Sequence, residues 1–131
     1  MFKPLYKIMI EIGLTYTSTT EVTNSNTALA IGSGDLPVFA TPAMTALMEN
    51  AAMMSVAAHL DQADTTVGIA INSTHSKASA IGSAIKATAK LIAVDNKKLT
   101  FQVVATANDA IIGEATHIRY IVNREKFLQR I

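Results

Sequence analysis

Residues 41–59 read TPAMTALMENAAMMSVAAH, the only long stretch of the chain with a strongly helical composition. Proline suits the first turn of a helix and threonine is a common capping residue, so we expect the helix to begin at Thr41-Pro42, with the Thr41 hydroxyl as its cap. The segment is apolar on most sides. We therefore expect a helix that other parts of the fold enclose.

Strand-like segments lie on both sides of this helix. One precedes it, at residues 14–23, and the four that follow it are residues 66–77, 82–94, 98–107 and 111–122. Short turns separate the later segments, which predicts antiparallel neighbours. Lesser elements are a helical turn at 24–30, a glycine-containing loop at 32–35 and a short helix at 124–130. The order predicts an α+β protein in which an antiparallel sheet curls around one long helix, the arrangement of the hot-dog fold.

The composition sets the class of protein. The 131 residues predict a single domain, residues 1–131, and half of them are hydrophobic, enough for a substantial core. A net charge of +1 argues against a nucleic-acid-binding protein. The lack of cysteine excludes disulfides and a cysteine nucleophile and is compatible with the cytoplasm, where we expect the protein.

Neither a membrane segment nor a bound metal is expected. Residues 1–13 lack a long apolar run and carry Lys3, Lys7 and Glu11, so we predict no signal peptide and no membrane association. No spacing resembles a metal site, and no glycine loop matches a nucleotide-binding motif.

Glu49 is the only acidic residue between Leu36 and Leu60. If the helix is enclosed, its carboxylate is buried at a cost of several kcal/mol unless it is paired or protonated, which would suggest a functional role. The alternative is that Glu49 lies beside Asn50 on a solvent-exposed stripe. Periodicity alone does not decide between these interpretations.

His75 closes the strand-like segment at 66–77. Alternation along that segment predicts that one face meets the helix, and this face carries Val67, Ile69, Ile71, Ser73 and His75. A neutral imidazole close to a carboxylate suits general-base catalysis. The alternative is a histidine that is hydrogen-bonded at the rim of the sheet.

Three further polar residues are candidates for a functional role. The Thr41 hydroxyl can still donate a hydrogen bond or act on a substrate while it caps, and the N–H groups of the helix start suit a developing oxyanion. His117 and Arg119 share a strand face. Arg119 could meet a phosphate, although an exposed charge on the sheet is the commoner role.

Three motifs carry a family resemblance. They are GSGDLPVFATPAM at residues 32–44 followed by Leu47-Met48-Glu49, then Val67-Gly68 with Thr74-His75, and GEATHIR at residues 113–119. In this order they resemble the fluoroacetyl-CoA-thioesterase-like family of the hot-dog thioesterase superfamily. The resemblance implies a catalytic group of Thr41, Glu49 and His75, and a glycine at Gly68 that lines the acyl site.

The resemblance also implies an acyl-CoA substrate, with CoA bound near the subunit interface of a homodimer and no cofactor. Phe39 and Arg119 are further candidates for substrate binding. The fluoroacetyl-specific branch has phenylalanines in a lid ahead of the threonine, whereas residues 33–38 have none and only Phe39 is close. We therefore expect a thioesterase for another short or medium acyl chain.

Two other functions compete with acyl-CoA hydrolysis. A non-catalytic acyl-CoA or small-ligand binding protein could keep this fold, but the retention of all three catalytic residue types argues against it. A hot-dog hydratase is expected to carry Asp and His close together in one motif, and this sequence has no such motif. The basic residues near the end, Arg124, Lys126 and Arg130, are candidates, with Arg119, for binding the CoA phosphates.

Overall fold

The computed structural model describes residues 10–131. Most of the segment for which we predict no signal peptide, residues 1–13, lies outside this range. The elements, in chain order, are β1 (Thr15–Glu21), α1 (Ala28–Ile31), α2 (Thr41–Ala57), β2 (Asp64–His75), β3 (Ala84–Asp95), β4 (Lys98–Ala107), β5 (Ala110–Asn123) and α3 (Arg124–Gln129). Each corresponds to a segment predicted from the sequence. No helix within residues 10–131 is long and apolar enough to cross a membrane.

The five strands form one antiparallel sheet in the order β1-β3-β4-β5-β2. The tight turns rely on residues that tolerate a left-handed backbone: Asn96, Asn108 and Asp109 have φ values of 58°, 49° and 73°. β1 and β2 are the two edges of the sheet. The predicted antiparallel arrangement is confirmed.

α2 packs its large side chains against the inner face of the sheet. Met44, Met48 and Val56 are fully buried, and each contributes roughly 1.5–3 kcal/mol of hydrophobic free energy. The inward positions of β3 and β4 are hydrophobic and include several alanines, which let the helix approach closely: Ile85, Ala87, Ala89, Leu91, Leu99, Phe101, Val103 and Ala105. These residues form the core.

The expectation that other elements enclose α2 is wrong for the single chain. Thr41, Pro42, Ala46, Asn50 and Met54 are exposed, because a five-stranded sheet covers only one side of the helix. This open side is mostly small or apolar.

The predicted capping role of Thr41 is also wrong. Ala40 occupies the cap position and makes no side-chain cap bond, while Thr41 is the first residue of α2 and Pro42 follows it. The helix therefore begins where the sequence predicts, but the Thr41 hydroxyl is left for another partner.

A β-bulge in β2 changes which residues face the helix. The pairing with β5 shifts between Gly68 and Ala70, so Gly68 lies opposite Arg119 and Ile71 lies opposite His117. A bulge inserts one residue and reverses the alternation beyond it. The predicted inward positions of Ile71, Ser73 and His75 are right.

The predictions for Val67 and Ile69 are wrong for the same reason. Val67 pairs with the exposed Tyr120, and Ile69 is 56% exposed. Gly68 and Thr66 take the inward positions before the bulge. The position that faces α2 is therefore occupied by Gly68, which has no side chain, and not by Val67.

Candidate active site

Thr41 and His75 meet where α2 begins and β2 ends. Thr41 Oγ1 and His75 Nδ1 share a hydrogen bond of 2.8 Å. The buried ring of Phe39 packs edge-on against the His75 ring, with centroids 6.3 Å apart and an interplanar angle of 78°. Phe39 thereby fixes one side of the imidazole. The sequence predicted the histidine and threonine as one group, and the structure brings them into contact.

The surroundings of the His75 ring favour its neutral form. Nε2 is buried and has no hydrogen-bond partner within residues 10–131. Burial lowers the pKa of His75 below its ordinary value of 6.5, and the backbone of Lys77 offsets part of this shift. The ring is therefore neutral near pH 7 and able to accept a proton.

A cleft of about 250 Å³ opens beside this pair. Its lining residues are Ala28, Ser33, Val38, Phe39, Thr41, His75, Ser76, Lys77 and Ala78. The first-turn N–H groups of α2 lack partners within the helix, as at any helix start, and lie at this end of the molecule. A hydroxyl, a neutral imidazole and the N–H groups of a helix start thus surround one space.

Glu49 lies on the same helix but contacts a different group of residues. It is half-buried beside Gly68: a Cβ built on Gly68 would lie 3.0 Å from Glu49 Oε2, 3.1 Å from Arg119 Nη1 and 3.2 Å from His117 Cε1. Any larger residue at position 68 would therefore displace these groups. The position of Glu49 lies between the two interpretations: its carboxylate is half-buried beside Arg119 and His117, whereas its neighbour Asn50 is exposed.

The three predicted catalytic residues do not form one cluster within a single chain. Glu49 lies eight positions after Thr41 in the helix, about 12 Å along the axis. The structure joins Thr41 to His75 and places Glu49 with Gly68.

Arg119 is buried, which overturns its expected place as an exposed charge on the sheet. It is 7% exposed, and its Nε and Nη2 groups donate to Thr66 Oγ1 (2.8 Å) and Thr66 O (2.9 Å). Burial lowers the pKa of Arg119, and the negative charge of Glu49 raises it in part. The guanidinium therefore lies on the inner face of the sheet.

Sequence reasoning placed His117 on the Arg119 face but missed that this face is the inner one. His117 is fully buried. The available signal was the alternation of Ala115 and Ile121 with these two residues, since apolar residues of the same period mark the core face.

A second cavity, of about 450 Å³, lies in front of Gly68. Its lining residues are Ala46, Glu49, Asn50, Met53, Thr66, Val67, Gly68 and Arg119. It combines a carboxylate, a guanidinium and an apolar wall. No group of three or more potential metal-ligating side chains occurs in the described part of the chain.

Comparison with known proteins assigns the chain to a family. The model of the family described as "FlK: Fluoroacetyl-CoA-specific thioesterase" matches residues 22–125. The chain belongs to this family. A fluoroacetyl-CoA thioesterase of Streptantibioticus cattleyicolor is 35% identical over 96 residues, which cover 72% of this chain and 68% of that protein. The predicted family and thioesterase class are confirmed.

Solved structures agree with this assignment to the fluoroacetyl-CoA-specific thioesterase family. A structure of FlK has a TM-score of 0.85 at 30% identity and covers 92% of this chain and 94% of its own. A thioesterase-superfamily protein of Thermus thermophilus has the same TM-score at 21% identity, covering 92% of this chain and 89% of its own, and supports the fold alone. The predicted hot-dog fold is confirmed.

The segment ahead of Thr41 forms one border of the first cleft. It holds α1 against the following loop, since Leu29 N–H donates to Leu36 O over 3.1 Å. Leu36 is 62% exposed, while Ser33 and Val38 line the first cleft. Small and aliphatic residues therefore border the cleft at this position.

Proposed function

We propose that the chain hydrolyses a short or medium acyl-CoA to the free acid and CoA, using Thr41, His75 and Glu49. The observation that carries the proposal is the hydrogen bond between Thr41 and His75 beside the first turn of α2. Thioester hydrolysis needs an activated oxygen nucleophile and a site for the negative charge of the carbonyl oxygen. The threonine–histidine pair supports the first requirement and the helix start supports the second.

The proposed proton transfer begins at Thr41. With His75 neutral and Nδ1 unprotonated, the Thr41 hydroxyl donates to Nδ1, and the histidine takes this proton as the oxygen attacks. His75 then gives the proton to the CoA sulfur as the C–S bond breaks, and water hydrolyses the acyl ester on Thr41 to release the free acid. In the other arrangement Thr41 positions a water molecule, which attacks in its place. Pro42 has no N–H, so the oxyanion would rest on the backbone N–H groups of Thr41 and Ala43.

The separation of Glu49 from His75 supports a homodimeric enzyme. β2 is an edge strand with free backbone groups, and the open side of α2 needs a cover. If β2 pairs antiparallel with β2 of a second copy, the Thr41–His75 end of one protomer lies toward the Glu49–Gly68 end of the other. The three catalytic residues would then serve one site across the interface, where Glu49 orients the histidine or activates water.

The cavity at Gly68 and a groove near the C-terminus are suited to different parts of the substrate. We place the acyl group in the cavity, where Gly68 provides space and Arg119 provides N–H donors. A groove of about 300 Å³ has the lining residues Lys97, Ile121, Val122, Asn123, Lys126, Phe127 and Arg130. Its three cations replace Arg119 as our candidates for binding the CoA phosphates.

Solved complexes of the relatives support a short acyl group. Structures of FlK variants hold fluoroacetate with CoA in one case and acetyl-CoA in another. The purified chain should be tested on acyl-CoAs of graded length, with release of free CoA thiol as the readout. Binding of these thioesters without turnover would make the chain a non-catalytic binding protein instead. We place the enzyme in the cytoplasm, which the lack of cysteine supports.

A further inference from the structure

We infer that His117 is a positioning residue, which holds Nη1 of Arg119 against the cavity at Gly68 and keeps it from pairing with Glu49. The inference rests on the proposed function, in that this cavity receives the acyl group. His117 has no place in the proton transfer described above.

The neighbours of His117 fix where its proton lies. Nδ1 is 2.8 Å from the carbonyl oxygen of Ala70, which can only accept a hydrogen bond. Nε2 is 3.2 Å from Nη1 of Arg119, which can only donate one. The ring must therefore carry its proton on Nδ1 and present the lone pair of Nε2 to Arg119. An imidazolium would point an N–H group at the guanidinium and lose this bond.

The charges around His117 favour the neutral ring. Burial lowers its pKa, and the adjacent guanidinium of Arg119 lowers it further. The Ala70 carbonyl and the carboxylate of Glu49 act in the opposite direction. The ring of Phe101, 6.2 Å away between centroids, closes the remaining side with an apolar surface.

The bond to His117 fixes Nη1, the nitrogen of Arg119 that faces the cavity at Gly68. Thr66 fixes Nε and Nη2, while Nη1 is the guanidinium atom closest to a Cβ at Gly68. One N–H of Nη1 goes to His117, which leaves the other for the cavity. Glu49 Oε2 approaches the same point to 3.0 Å, so without the bond to His117 the negative charge of the carboxylate would draw Nη1 toward it and into the acyl space.

Two substitutions at position 117 separate positioning from packing. Glutamine keeps an acceptor for Arg119 and a donor for Ala70, whereas leucine fills the space without either. With acetyl-CoA as the probe, we expect His117→Leu to raise KM about tenfold with a smaller change in kcat, as for a lost hydrogen bond to a charged group. His117→Gln should stay within about twofold of the wild-type KM.

The rise in KM caused by His117→Leu should also depend on Arg119. In an Arg119→Met background, His117→Leu should raise KM no further, because its only route to the substrate is gone. Equal KM values for the Gln and Leu variants, or an additive effect in the Arg119→Met background, would overturn the inference. Thermal unfolding of every variant shows whether each KM belongs to a folded protein.

The protonation state of His117 can be measured on the wild-type chain without any catalytic turnover. Long-range ¹H–¹⁵N NMR should show His117 neutral at pH 7 with the proton on Nδ1, and the wrong tautomer or an imidazolium would overturn the inference. If the chain hydrolyses no thioester, the proposed function fails while the NMR spectrum still decides the state of His117.

Discussion

The hydroxyl oxygen of Thr41 lies 2.8 Å from Nδ1 of His75, although 34 positions separate the two residues in the chain. The first residue of α2 and the last residue of β2 meet because the helix lies along the inner face of the sheet. Since Ala40 holds the cap position, the Thr41 hydroxyl is available to the imidazole. Both residues border a cleft that can admit a thioester.

Substitution at Thr41 tests the role of this hydroxyl. Thr41→Ser keeps the oxygen and should retain much more activity than Thr41→Ala. Because Thr41 does not cap the helix, Thr41→Ala should change the free energy of unfolding by only about 1 kcal/mol, through the lost bond to His75. Steady-state kinetics and thermal unfolding measure the two effects, and equal activity in both variants would show that the hydroxyl is dispensable. An acyl group trapped on Thr41 would favour direct attack over water activation.

The pH dependence of kcat/KM should reflect the lowered pKa of His75. The base is active when it is unprotonated, so activity should persist below pH 6.5 and then fall as His75 takes a proton. His75 and His117 both have lowered pKa values in the folded state, so the unfolded chain binds more protons in this window. Stability should therefore decrease as pH falls through 6.5. A pH–rate profile with its acid limb centred above 6.5 would contradict the assignment.

Much of the fold was predictable because its signals are local. Composition marked α2, and turn residues such as Asn96 and Asn108 separated the strands. The helix start was placed correctly from Thr41-Pro42, but the cap was misplaced by one residue. Cap geometry depends on the backbone of the preceding residue, which sequence alone does not fix.

The site was only partly predictable because it depends on a bulge. Strict alternation put Val67 and Ile69 toward the helix, and only the register with β5 reveals that Gly68 takes the inner position. Alternation along β5 places Arg119 and His117 in the interior, opposite Gly68 and Ile71. Gly68 was a local sign of the insertion, since a glycine inside a strand often marks a bulge.

The oligomeric state can be tested at the edge of the sheet. We expect a dimer in light scattering at micromolar concentration, because β2 and the open side of α2 need a cover. Ile69→Lys introduces a charge on β2 and should weaken the dimer at least about tenfold, since a buried unpaired charge costs several kcal/mol. Ile111→Lys is the matched control, at a position outside β2 with a similar exposure, 54% against 56%. A folded wild-type monomer would contradict the dimer.

Charge reversal in the C-terminal groove tests the binding of the CoA phosphates. The double change Lys126→Glu and Arg130→Glu should raise KM, and added salt should no longer raise it further, because repulsion of the phosphates has replaced the screened attraction. Lys90→Glu, on an exposed position of β3, is the control and should leave KM near the wild-type value. A wild-type KM that does not change with salt would remove the groove from the account.

The most direct test of the catalytic assignment is the rate of thioester hydrolysis by the wild-type chain, His75→Ala and Glu49→Gln, measured as release of CoA from acetyl-CoA and longer acyl-CoAs. Loss of a general base typically lowers the rate ~10²–10⁴-fold. We expect both variants to fold, to bind CoA thioesters and to lose kcat on this scale. A folded His75→Ala protein that hydrolyses acyl-CoA at nearly the wild-type rate would contradict the account.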